Sequence, residues 1–120
     1  MPSVRELNYL WDILNSAESI QSYVLGVTEE GFYANPLLQD AVIRRFEIIG
    51  EAAARISDET RALIPELPWR QIVGMRHRLI HEYDNVHSDV IWESTQTDMA
   101  PLIKAITPWV QSEERLGENS

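Results

Sequence analysis

The sequence predicts an all-α protein: an antiparallel four-helix bundle with one short extra helix. Three observations carry that reading. Apolar residues recur at three- and four-residue intervals through four long segments, the spacing of one helical face. Strand signals are poor, with no period-two alternation and no hairpin dipeptide between apolar runs. The segments are separated by short connections rich in turn residues, and short links between helices favour antiparallel neighbours.

The first helix is expected from about Val4 to Leu25, with Val4, Leu7, Trp11, Leu14, Ala17 and Val24 on its stripe. Gly26 follows, and the chain up to Ala34 reads as loop. Asn35-Pro36 is a strong start signal, a capping side chain followed by proline at the first helical position. The second helix then runs to about Ile56. Leu38, Val42, Phe46, Ile49, Ala53 and Ile56 form its main stripe; Leu37, Ala41, Ile48 and Ala52 form a second. A helix apolar on two faces is packed on two sides. Arg44, Glu47, Glu51 and Arg55 run between those faces and read as an ion-paired stripe. Asp58 to Ile64 suggests a short helical turn. Pro65-Glu66-Leu67-Pro68 breaks the chain and opens a further helix, which should end near Tyr83 because Asp84-Asn85 is turn chemistry. The last helix is expected from Asp89 to Gln111, with Ile91, Thr95, Met99, Leu102, Ile106 and Trp109 inward. Pro101 should kink or split it.

A chain of 120 residues is one domain by length, here residues 1–112, with 113–120 as a disordered polar tail. The hydrophobic fraction of 44% and four tryptophans supply a core. Without cysteine there is no disulfide framework, thiolate metal site or cysteine nucleophile, a composition that suits a reducing cytosol. The N-terminus lacks the apolar core of a secretion signal, and no run approaches a membrane span. A cytoplasmic protein with no membrane partner is therefore expected. The net charge of −9 argues against a general nucleic-acid coat. Yet residues 44–78 hold seven of the ten basic residues and five of the nineteen acids, a local charge of +2 in an otherwise acidic chain. One local basic site could hold a short phosphate segment, and the acidic body could attract a basic partner.

The most informative stretch is Arg76 through Tyr83, which spells R-x4-H-x-Y with Arg76, His81 and Tyr83. Trp69, Ile72, Val73, Arg76, Ile80 and Tyr83 share one helical face, so Arg76 stands in a stripe that should be apolar. A guanidinium there needs an anion, because it cannot shed its proton. Glu47 or Glu51 could supply a carboxylate; otherwise the position faces a ligand. His81 lies five residues on, roughly 140° around the helix, so the two side chains converge only at the edge of the face or where two copies of the helix meet. The bland alternative is a helix-end histidine bonded to a last-turn carbonyl. His77 and His81 have the i, i+4 spacing of a metal pair, but no third ligand is evident and Arg78 stands where a metalloprotease needs glutamate, so no metal is expected. Tyr83 could equally end an apolar stripe with its hydroxyl at the rim.

These residues resemble the HepT-type toxins of the HEPN superfamily, the nuclease half of a toxin–antitoxin pair. The resemblance covers nearly the whole chain. Its marks are Asn35-Pro36, Arg45-Phe46-Glu47-Ile48-Ile49-Gly50-Glu51-Ala52, Pro68-Trp69, and Met75-Arg76 through His81-Glu82-Tyr83. Relatives commonly have asparagine after the motif arginine, where this chain has His77. The resemblance implies a HEPN-like homodimer acting as a metal-independent ribonuclease without cofactor. Arg76 and His81 of both protomers would be catalytic at a twofold cleft, with His77, Arg78, Glu47 and Glu51 in support. It implies a cognate minimal nucleotidyltransferase as antitoxin, which transfers AMP from ATP onto Tyr83 and fills the anion site meant for RNA. The superfamily also has non-catalytic members, so a nucleotide- or partner-binding module is the competing expectation.

Overall fold

Seven helices are formed among the described residues of the computed structural model, which describes the backbone of residues 1–81 and 88–118 and the side chains of these except 76, 78–81 and 111–118. Ser3 opens α1 (Val4–Val24), its hydroxyl accepting from the Glu6 amide at 3.1 Å. Gly26 ends it at φ +75°, a left-handed turn that favours glycine. The inward face is Leu10, Ile13, Leu14, Ala17, Ile20 and Val24. This corrects the expected stripe: Trp11 is 43% and Val4 69% exposed. Two overlapping stripes exist on this helix, and the one with more aliphatic volume went inward.

The segment expected as loop before Ala34 contains a helical turn, α2 (Glu29–Tyr33). Thr28 caps it by accepting from the Gly31 amide at 3.0 Å. Phe32 is fully buried and anchors it, its ring 5.4 Å from that of Trp92. Five residues are too few for a periodic pattern, which is why the turn is silent in the sequence. α3 (Pro36–Ala54) starts as expected, with the Asn35 side chain accepting from the Leu38 amide. Its main stripe is buried from Val42 to Ile56, while in the second stripe Ala52 is buried, Ala41 and Ile48 are half-buried and Leu37 is 81% exposed.

α4 (Asp58–Leu63) is capped by Ser57, which also ties the ends of two helices together. Its amide and hydroxyl both donate to the Glu6 carboxylate at 2.9 Å. The Ser57 backbone bond and hydroxyl hold that carboxyl below its ordinary value. α5 (Trp69–His81) follows the Pro65–Pro68 break. The last expected helix is two, α6 (Ser88–Thr97) and α7 (Met99–Glu118). They part at Asp98, just before Pro101, which lacks an amide for the Thr97 carbonyl and whose ring crowds it. α7 continues to Glu118, beyond the helix end expected near Gln111.

α1 is central: it packs on α3 along one side and α7 along the other, and α3 packs in turn on α5. The order across the molecule is α5–α3–α1–α7. Three seams of the expected bundle are thus closed. The fourth, between α5 and the α6–α7 arm, has no comparable packing among the described residues; a groove of about 470 Å³ lies there instead. No helix among the described residues is long and apolar enough to cross a membrane.

Candidate functional site

The motif helix is positioned from its N-terminal end. Ile64 and Leu67 are buried on either side of the proline-bounded turn, and the Leu67 amide bonds the Ile64 carbonyl at 3.4 Å. The same carbonyl accepts the Trp69 indole N–H at 3.0 Å, a bond made out of solvent. Over the indole, at 6.0 Å, lies the Arg61 guanidinium, which donates to the Ala53 carbonyl in the last turn of α3 at 2.9 Å. Arg61 therefore adds a side-chain donor to a carbonyl at the end of α3, which also accepts the Ile56 amide at 3.2 Å, while stacking on the first residue of α5. This clamp ties the end of α3 to the start of α5. The sequence reading missed Arg61. A basic residue seven positions beyond the end of a helix gives no local signal, because its carbonyl partner is reached only through the fold.

From Trp69 the helix carries Arg76 and His81 on continuous backbone. Trp69 is buried in the core, and Ile72 and Val73 are half-buried against it, so the first part of the motif stripe faces into its own subunit. His77 presents an exposed side chain. The side chains of Arg76, Arg78 and His81 lie outside the described residues, as does Tyr83 entirely. The structure thus places the helix that bears the motif and leaves the motif's own contacts unstated.

It does place the two expected carboxylates. Glu47 pairs with Arg44 at 3.4 Å and Glu51 with Arg55 at 3.2 Å, both at the surface. The charged stripe is therefore an ion-paired face, as its spacing suggested, with a net worth of about 0–1 kcal/mol per pair. Glu51 lies on the α1 side of α3, in a groove with Tyr9, Asp12 and Arg55. The Arg55 guanidinium stands 5.9 Å over the Tyr9 ring; a hydrogen bond to Tyr9, then its charge and that of Glu51, raise its pKa further. Among the described residues no three His, Cys, Asp or Glu side chains gather as a metal site.

The described helices form a bundle whose fifth member carries R-x4-H. The ribonuclease HepT-like family model matches residues 13–108, four-fifths of the chain, from the middle of α1 through the motif helix into α7. The chain belongs to the HepT-like ribonuclease family. It is 38% identical over 106 residues to a protein of Caldanaerobacter subterraneus subsp. tengcongensis named provisionally as an RNase, covering 88% of this chain and 95% of that one. It is 39% identical over 95 residues to the probable ribonuclease HepT of Thermococcus cleftensis, covering 79% and 86%. A Methanocaldococcus jannaschii protein, also provisionally named an RNase, is 30% identical over 120 residues, covering 100% and 99%. No solved structure matches the chain.

Proposed function

We propose that this chain is the ribonuclease toxin of a toxin–antitoxin pair and cuts RNA without a metal ion. One observation carries the reading: the match to a ribonuclease family spans the helix on which Arg76 and His81 stand five residues apart. RNA brings its own nucleophile, the 2′-hydroxyl. The His81 imidazole takes that proton as the 2′-oxygen bonds to phosphorus. The bond to the 5′-oxygen breaks, and that oxygen leaves with a proton from a second imidazole. The products are a 2′,3′-cyclic phosphate and a free 5′-hydroxyl. Arg76 holds the phosphate and the charge that builds on it.

A base and an acid are both needed, and two protomers would supply one histidine each across a twofold cleft. The half-open second stripe of α3, with Leu37 and Ile48, supports a homodimer. A cognate minimal nucleotidyltransferase would silence the toxin by moving AMP from ATP to the Tyr83 hydroxyl with release of pyrophosphate. The added phosphate charge would then compete for Arg76.

Digestion of RNA by wild type and Arg76→Ala, with and without chelator, tests the chemistry. Cutting that survives chelator and vanishes in the variant is the expected result. Loss with chelator alone, or equal cutting of a substrate whose 2′-hydroxyls are replaced by hydrogen, refutes the mechanism. No cutting with retained partner binding would make the chain a binding module. For the pairing, Tyr83→Phe should remain toxic when the neighbouring transferase is co-expressed; rescue of growth by that transferase would overturn the modification site.

A further inference from the structure

We infer that Gly74 is a clearance in the motif helix for the sugar–phosphate backbone of a single-stranded RNA, with Arg70 holding a phosphate beside it; the placement rests on the ribonuclease reading above. Gly74 is the sixth of the thirteen residues of α5. Glycine weakens a helix interior against alanine, so its presence there needs a cause. Among the described residues no internal cause exists. A left-handed φ, here +75°, belongs to Gly26 and not to Gly74. Crowding accounts for Gly31, where an added Cβ would stand 3.1 Å from the Thr28 hydroxyl. A Cβ added at Gly74 meets nothing within 4 Å among the described residues. The remaining use of a glycine is close approach of the helix backbone by a ligand.

The face on which Gly74 stands points to that ligand. Positions 70, 74, 77 and 81 fall at i, i+4, i+7 and i+11, one stripe of the helix. It lies away from Trp69, Ile72 and Val73, which pack on the core. It is open to solvent: Arg70 and His77 are exposed, and Gly74 is half-buried between them. Position 81 lies on the same face, about 10 Å further along the axis at 1.5 Å per residue. Charge favours a polyanion. α5 holds three arginines, two histidines and no acid, in a chain of net charge −9. Arg70 joins none of the ion pairs among the described residues, which form at Arg44, Arg55 and Arg61. A second α5 laid on this face would bring three more arginines against these, whereas an RNA backbone neutralises them. A strand whose phosphate meets the Arg70 guanidinium passes over the notch and reaches position 81 along one face. A side chain at position 74 would lift the strand off the helix between those two points.

A short, fluorescently labelled single-stranded RNA with 2′-O-methyl groups throughout, which offers no 2′-hydroxyl as nucleophile, is the probe, read by anisotropy against the full chain. Gly74→Leu should weaken binding by about tenfold or more, the worth of one charge-assisted hydrogen bond. The same variant should raise Tm by up to about 3 °C, because leucine is the better helix former. Arg70→Gln should make the slope of log affinity against log salt shallower by about 0.7, the loss of one phosphate contact to a single strand. Lys104→Gln, the same charge change on exposed α7 surface, should leave that slope unchanged. Binding by Gly74→Leu equal to wild type overturns the clearance, as does a wild type that binds no RNA. Equal slope changes for Arg70→Gln and Lys104→Gln would mean general attraction and overturn the phosphate contact. A smaller sedimenting species for folded Gly74→Leu would make the occupant a second copy. Because the probe is not cut, a wild type that shows these binding effects yet leaves ordinary RNA intact would remove the nuclease reading alone.

Discussion

Trp69→Phe should destabilise the protein while sparing its chemistry. The indole makes three contributions that phenylalanine weakens or loses. Its N–H bonds the Ile64 carbonyl at 3.0 Å in a buried setting, a net contribution of about 1 kcal/mol. Its larger ring lies under the Arg61 guanidinium at 6.0 Å, a contact of roughly 0.5 kcal/mol. Replacing a side chain only 8% exposed by a smaller one leaves a gap of about 0.5 kcal/mol more. The loss is limited because the Ile64 carbonyl keeps the Leu67 amide as a second partner. The total is about 2 kcal/mol. For a domain of this size, at roughly 4 °C per kcal/mol, Tm should fall by about 8 °C. RNA cutting measured well below that Tm should stay within about twofold of wild type. Arg76→Ala should behave in the opposite way, losing cutting with Tm within about 2 °C. Calorimetry and a digestion assay on both variants decide the matter. A Trp69→Phe melt within 2 °C of wild type would refute the buried clamp. A fall of more than 10 °C in Arg76→Ala would mean a buried ion pair, worth about 3–5 kcal/mol when broken, and would remove Arg76 from the proposed cleft.

Three further outcomes follow from particular contacts. Glu6→Gln should lower Tm near neutral pH by about 2 °C, because the charged acceptor for Ser57 is lost at a partly exposed site. The folded-state pKa of Glu6 lies below its ordinary 4.5, so this advantage is present above that pH and disappears as pH falls through the lowered value; melts across the acid range should converge. The Tyr33 hydroxyl, donating to Glu29 at 2.6 Å, has its pKa pushed up to about 12, and ultraviolet titration of Glu29→Gln should move it back toward 10. Ile48→Glu, on the half-open stripe of α3, should shift a sedimenting dimer to monomer without lowering the helical content; an unchanged dimer would place the twofold elsewhere.

Local rules were enough for the long helices and the motif. Asn35-Pro36 set a helix start by side-chain capping, and Pro101 marked the break that separates α6 from α7, because those effects act within one turn of the residue. The main stripe of α3 was legible for a similar reason: one periodic face dominates it. R-x4-H-x-Y needed no fold to be seen, and it pointed to the family. Tertiary structure decided what depends on neighbours. Which of two apolar stripes on α1 turned inward was settled by α3 and α7, leaving Trp11 outside. Phe32 made a helix of α2 by packing beside Trp92, across sixty residues of chain. Arg61 found the Ala53 carbonyl only because α4 folds back over the end of α3. Glu51 turned to Arg55 in a groove on the α1 side of α3. The open seam beside α5 is the clearest case. Four amphipathic helices are written in the sequence, but whether the fourth pair closes depends on the angles at which the other three meet.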